Sequence, residues 1–299
     1  MPQTSHKVVL IGNTHQIKKS ESISRVLRKL SALHCEVILE AEFARFLQTL
    51  PGLDLSGCTS LPSSAFPGCG ASFAISMGGD GSFLRAAACV GRAGIPVLGL
   101  NTGHLGFLAD ILPQNIESAL DAVAAGHYTV EQRSLLKIEK TGAPLQGYPY
   151  ALNEVAVLKY DNSSLIGVRT EVDGSLLTNY VADGLIVCTP TGSTGYSLSV
   201  GGPLIAPNSK SFCISAVAPH SLNVRPVILN DDVTITLHVS SRSGKYLIAV
   251  DGRSETFSDG DTLRLSRADY TIGVMKVRHL HFFDTLRDKM SWGADERFN

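Results

Sequence analysis

Phe73-Ala74-Ile75-Ser76-Met77-Gly78-Gly79-Asp80-Gly81-Ser82 decides the fold class of the first part of this 299-residue chain. Phe73-Ala74-Ile75 is an apolar run, Phe73 to Met77 reads as a strand, the glycines form a turn, and a helix is expected from Ser82 to about Arg92. The alternation repeats upstream. Lys7 to Gly12 reads as a buried strand and Glu36 to Leu39 as another. Between them, Ile23, Val26, Leu27, Leu30 and Leu33 make a helical stripe within Ser20 to Leu33. Residues 51–72 are rich in Gly, Pro, Ser and Cys and read as a loop. Downstream, Pro96 to Leu100 is a strand, Asn101 to Gly106 a glycine-rich turn, and Gln114 to Ala124 a helix. Such alternation implies a parallel sheet flanked by helices.

The pattern changes near Tyr128. Short β-rich runs then continue to about Tyr270, separated by turns such as Val172-Asp173-Gly174 and Val250-Asp251-Gly252. They predict a β-sandwich. Phe282 to Trp292 has helical character again. The expected organisation is an α/β domain over 1–127, a β-sandwich domain over 128–270, and a C-terminal segment, 271–299, that packs back on the first domain.

Composition narrows the function classes. The formal net charge is −1, and basic clusters are short, as at Lys18-Lys19. That argues against a nucleic-acid surface, which needs clustered Lys and Arg. No apolar run is long enough to span a bilayer, and Val8-Val9-Leu10-Ile11 is too short for the core of a signal peptide. The six cysteines lack zinc-ligand spacing. They read as reduced thiols of a cytoplasmic protein, with a Cys58–Cys69 disulfide left open.

Chemistry concentrates in two glycine-rich loops. Glycine lets backbone N–H groups converge on an anion, so Gly78-Gly79-Asp80-Gly81 and Thr189-Pro190-Thr191-Gly192-Ser193-Thr194-Gly195-Tyr196-Ser197 both suit phosphate. Asp80 is the exception, because a carboxylate repels phosphate. It suits a metal or a proton, although a tight turn with an Asp cap would read the same way. Ser82 is a candidate cap for the following helix. No Gly-Lys-Ser/Thr follows, so this is not a Walker loop. His104, between Gly103 and Gly106, reads as a structural loop residue. Asn153-Glu154 sits within Tyr150 to Val157 and would need polar partners if buried. A strand-edge polar pair and a ribose-binding pair both satisfy that. Ser193, Thr194, Tyr196, Ser197 and Ser199 supply hydroxyls at the start of a short helix, and Tyr196 could stack on a ring.

Taken together, these segments resemble the bacterial NAD kinases. The matching motifs are Gly78-Gly79-Asp80-Gly81, Gly103-His104-Leu105-Gly106-Phe107-Leu108, Asn153-Glu154-Val155, and Asp183-Gly184 followed by Thr189 to Ser199. The first is shared with phosphofructokinases and diacylglycerol kinases, and the last is far more specific. The resemblance implies ATP-dependent phosphorylation of the adenosine 2′-hydroxyl of NAD, with Mg²⁺ or another divalent cation carried by ATP. It implies Asp80 as general base, with Gly78, Gly79 and Gly81 as phosphate loop. It also implies NAD-binding positions at Asp80, Gly81, Asn153, Glu154, Asp183, Thr194, Gly195, Tyr196, Ser197, Leu198, Ser199 and Arg253. Arg253 stands where many relatives carry Gln, Gly195 where Ala is usual, and Val181 where many have a basic residue. The resemblance further implies a homodimer or homotetramer in which Asp183 serves a neighbouring subunit. A lipid or sugar kinase sharing only the first motif, and a non-catalytic nucleotide sensor, are the alternatives.

Overall fold

The computed structural model describes residues 6–14, 20–103, 106–142, 145–161, 164–277 and 282–293. Lys18, Lys19 and His104 lie outside the described residues. The chain divides into two compact units, one of residues 1–132 with 272–299 and the other of residues 133–271.

The first unit starts β1 (Lys7–Gly12), α1 (Ser20–Ala32), β2 (Glu36–Glu40), α2 (Ala41–Leu47), β3 (Cys58–Leu61), β4 (Phe73–Met77), α3 (Asp80–Val90), β5 (Val97–Leu100), α4 (Ile116–Ala124). The chain then makes β6 (Thr129–Lys140), β7 (Tyr150–Ala151), β8 (Glu154–Lys159), β9 (Ile166–Val172), β10 (Ser175–Ala182) and β11 (Gly184–Cys188). A short helix, α5 (Tyr196–Ser199), precedes β12 (Ser211–Val217), β13 (Val227–Asn230), β14 (Ile235–Ser241), β15 (Lys245–Val250) and β16 (Arg253–Ser258). The long β17 (Thr262–Lys276) and α6 (Phe282–Met290) complete it.

In the first unit β3, β2, β1, β4 and β5 lie side by side, all parallel, and Val274 of β17 pairs in parallel with Val97 beyond β5. Both faces of β1 and β4 are covered, which is why Val8 to Ile11 reads as an unbroken apolar run and β4 is interrupted only by the buried Ser76. The core joins Val8, Leu10, Ile75 and Leu98 to Val26 and Leu30 of α1 and Leu120 of α4. Strand order reverses between β1 and β4, and ligands of such sheets bind outside the carboxyl ends of the strands there. The Gly78 turn leaves β4 at that end.

Two local expectations are corrected. The stretch 51–72 contains a strand, β3, paired with Val37 to Glu40. Thr59 and Ser60 are exposed at this sheet edge, so no apolar period announced it. Ser82 is not the cap of α3, because Gly79 occupies that position and Ser82 is buried in the first turn.

The second unit has two mainly antiparallel layers: β10-β9-β14-β17, and β13-β12-β11-β8-β15-β16. Their inward residues, among them Val155, Val187, Phe212, Leu237, Tyr246 and Leu265, share one core. The expected α/β fold with a β-sandwich is therefore present. All six cysteines are free thiols, including Cys58 and Cys69.

Candidate active site

The Gly78 turn is built for close approach. Gly78 has φ +142°, and a Cβ there would lie 2.1 Å from Ser82 Oγ. Only glycine fits both demands. Gly79 then caps α3, and Asp80 stands in its first turn, where the helix dipole favours negative charge.

The Asp80 carboxylate is held from one side by a second loop. Phe107 N–H donates to Oδ2 at 2.9 Å, and Leu108 and Ala109 N–H both donate to Oδ1 at 3.0 Å. Gly106 permits this packing, since a Cβ there would sit 2.0 Å from Oδ1. Buried Asn101 braces the loop by accepting from Gly103 N–H at 2.7 Å and donating to the Ala109 carbonyl at 3.1 Å. A carboxylate offers about four acceptor positions. Three N–H groups fill both positions of Oδ1 and one of Oδ2, so a single position on Oδ2 stays open. Lys289 of α6 places its Nζ 3.6 Å from that oxygen.

In the second unit, Asn153 and Glu154 flank a break. The run Tyr150 to Val157 is two strands, β7 and β8, not one, because Leu152 and Asn153 turn out of the ladder. Asp251, at φ +46°, reaches into the break. It accepts N–H from Leu152 at 2.8 Å, Asn153 at 2.9 Å and Glu154 at 3.1 Å. Thr189 ties the second glycine loop to the same backbone, donating its hydroxyl to the Leu152 carbonyl at 2.5 Å and its N–H to the Asn153 carbonyl at 2.9 Å. Gly192 then lies against Asn153, and a Cβ on it would be 2.1 Å from the Asn153 carbonyl oxygen.

Within this unit the structure brings Asn153, Glu154, Gly195 and Tyr196 together. Glu154 accepts the Tyr196 N–H, and a Cβ on Gly195 would meet Glu154 Oε2 at 2.9 Å and Asn153 Nδ2 at 3.4 Å. Asn153 Oδ1 and Glu154 Oε2 are buried atoms with no hydrogen-bond partner among the described residues. Such groups are costly unless something else satisfies them. Tyr196 and Ser199 are exposed, Thr194 and Leu198 half-buried. Ser193 and Ser197 turn inward: Ser193 Oγ accepts the Ile205 N–H at 3.0 Å, and Ser197 Oγ meets Ser215 Oγ at 3.3 Å. Arg253 is used within its own unit, donating to the carbonyls of Val250 and Tyr150 and lying 5.7 Å from the Tyr148 ring centroid. Asp183 is not brought to Glu154. It pairs with Lys159 at 2.6 Å, near the far end of β11, whereas Glu154 faces Cys188. Five residues of strand separate the two positions, roughly 17 Å.

Burial pushes the Glu154 carboxyl up to about 7, and the nearby Asp251 charge adds to this. Burial raises Asp251 as well, against the pull of its three N–H donors. The folded chain thus binds a proton at Glu154 that the unfolded chain, at its ordinary 4.5, releases. Folding is then unpenalised below about pH 4.5 and loses stability as pH rises through 7, by on the order of 3 kcal/mol in all. We expect the melting temperature of Glu154→Gln to fall less than that of the parent between pH 5 and 7.5. Parallel curves in differential scanning fluorimetry would remove Glu154 as the cause.

Sequence reasoning missed Asp251 and Lys289 as parts of these arrangements. Asp251-Gly252 carries a turn signature that masks a second role, and nothing local marks Lys289.

The comparisons define the class first, a two-domain kinase. Residues 8–128 match the model of the ATP-NAD kinase N-terminal domain, and residues 152–277 that of the ATP-NAD kinase C-terminal domain. A curated NAD kinase of Bacteroides fragilis is 50% identical over 97% of this chain and 99% of its own length. One from Porphyromonas gingivalis is 39% identical over the same shares. The chain belongs to the NAD kinase family. Among solved structures, a yeast NADH kinase complexed with NADH shares the fold at a TM-score of 0.86, with 21% identity over 99% of this chain and 90% of that one. An Archaeoglobus fulgidus NAD kinase in complex with ATP shares it at 0.71, with 24% identity over 95% and 97%.

Proposed function

We propose that this chain transfers the γ-phosphoryl group of ATP to the 2′-hydroxyl of the adenosine ribose of NAD, giving NADP and ADP. The observation that carries the catalytic assignment is the Asp80 carboxylate, locked by three N–H groups yet open at one position of Oδ2. A ribose hydroxyl is a poor nucleophile at neutral pH. Asp80 Oδ2 would align that hydroxyl and accept its proton as the new O–P bond forms and the bond to the β-phosphate oxygen breaks. The Gly78, Gly79 and Gly81 backbone, at the start of α3, suits the phosphate chain.

Among the described residues no cluster of three or more His, Cys, Asp or Glu could hold a metal. A divalent cation such as Mg²⁺, carried by the phosphate oxygens of ATP, would neutralise charge on the transferring group. In the second unit, the unpartnered Asn153 Oδ1 and Glu154 Oε2 suit ribose hydroxyls or the amino edge of a base, and exposed Tyr196 suits stacking. Leu198, Ser197 and Gly195 then serve mainly as the frame of that pocket, and Arg253 as a brace for the Tyr150 backbone. No helix of the described residues is long and apolar enough to cross a membrane. A cytoplasmic site of action is the reading this substrate pair favours. Incubation with ATP, Mg²⁺ and NAD tests the whole proposal, with sphingosine, diacylglycerol and fructose 6-phosphate as rival acceptors. NADP formation supports it. A phosphorylated lipid or sugar alone, or no turnover, rejects it.

The separation of Asp183 from Glu154 along β11 supports a homo-oligomer, dimer or tetramer, in which Asp183 completes another subunit's site. Two inactive variants, Asp80→Asn and Asp183→Ala, should then partly restore activity when mixed and reassembled, since a hybrid site draws one intact residue from each chain. An active monomer in light scattering, or an oligomer whose mixed variants stay dead, would reject the shared site.

A further inference from the structure

α6 carries a cation to the reacting end of the first unit. Leu286 is its buried anchor, and Lys289, three residues on, shares that face. Its Nζ lies 3.6 Å from Asp80 Oδ2 and 4.3 Å from the centre of the Phe107 ring. Phe107 is also the residue whose N–H holds Oδ2. One loop thus positions both the carboxylate and the ammonium, through backbone on one side and ring face on the other. At 3.6 Å the pair is an ion pair without a tight hydrogen bond, so Nζ keeps donors for another oxygen. Arg85, the cation on α3 itself, is committed elsewhere. It donates to the Gly12 carbonyl at 2.6 Å, to Glu40 at 2.8 Å and to Glu42 at 2.7 Å.

We propose that Lys289 is a further catalytic residue for phosphoryl transfer: it partners Asp80 in the free protein and passes to a γ-phosphate oxygen when ATP is bound. The proposal rests on the assignment of Asp80 as base. The passage leaves the open position of Oδ2 for the ribose hydroxyl and sets a positive charge against the transferring group. In the step itself the ribose O–H breaks, with its proton going to Asp80. The ribose O–P bond forms, and the P–O bond to the β-phosphate breaks, with its electron pair leaving on ADP. Lys289 stays protonated throughout and donates hydrogen bonds only. A fixed cationic donor of this kind is worth about 10²-fold in turnover.

The test compares Lys289→Met, Lys289→Arg and Lys289→Ala in the full chain, alongside Asp80→Asn. Lys289→Met should lower kcat by about 10²-fold with the KM for NAD within threefold. Its calorimetric affinity for ATP should fall towards that for ADP, while ADP binding is unchanged. Lys289→Arg should recover most of the loss, and ethylammonium should raise the turnover of Lys289→Ala several-fold. A normal kcat for Lys289→Met beside an inactive Asp80→Asn overturns this proposal and leaves the base intact. A normal Asp80→Asn overturns the base itself. If Lys289→Met loses helix by circular dichroism, amine rescue of Lys289→Ala decides: rescue supports the charge role, and its failure, with ATP and ADP affinities falling together, overturns it.

Discussion

Asp80→Asn should lower turnover by roughly 10²–10⁴ while NAD affinity stays within a few-fold, the usual signature of a lost general base. The geometry explains why so conservative a change is severe. An amide has one acceptor oxygen, whereas Leu108 and Ala109 N–H approach one side of the carboxylate and Phe107 N–H and Lys289 approach the other. Whichever way the amide turns, its NH₂ faces a donor. The variant therefore loses the proton acceptor and sets a donor against a donor in the 106–109 loop. Turnover from initial rates of NADP formation, NAD affinity from calorimetry and a circular dichroism spectrum belong together. Near-normal turnover, or equal losses of binding and turnover in a folded protein, would end the assignment.

Gly192→Ala should be the most damaging single methyl in the second unit. The added carbon would stand 2.1, 2.5 and 2.8 Å from the Asn153 carbonyl oxygen, carbonyl carbon and Cα. These are backbone atoms, pinned by Asp251 on one side and Thr189 on the other. Neither partner can yield, so a loss of about 3 kcal/mol or more is expected, roughly 6–12 °C in melting temperature. Gly195→Ala is the matched control. Its new carbon meets first the end of a Glu154 side chain, at 2.9 Å, which can turn aside. That variant should stay within about 1 kcal/mol. A melting curve for Gly192→Ala within 2 °C of the parent would mean that the loop does not lie against the strand.

Much of this was legible because it is local. Val8 to Ile11 are apolar at every position, and Phe73 to Met77 at all but Ser76, since both faces of their sheet are covered, and nothing but a buried strand of that length fits. The two glycine loops announced themselves by composition, and their order along the chain carried the family. What stayed hidden is long-range. The three N–H groups that hold Asp80 come from residues 27 to 29 positions away, and backbone donors have no letter in the sequence. Asp251 lies about 100 positions from the backbone it braces and looks like any turn aspartate. β3 was invisible for a different reason, since an exposed edge strand needs no apolar period. Lys289 is one lysine in a short amphipathic helix until Leu286 fixes which face is inward.

The sheet of the first unit also dictates an order of assembly during synthesis. Its outer partner beside β5 arrives with Val274, after all of the second unit has been made. On the ribosome the sandwich, contiguous from 133 to 271, can close before its elder neighbour. Until then β5 is an open parallel edge, the kind of surface on which nascent chains stick to one another. Asp80 waits longer still, because α6, with Lys289, is made some 200 residues after it. In a growing chain the Asp80 carboxylate is therefore present for some 200 residues before its lysine partner is made.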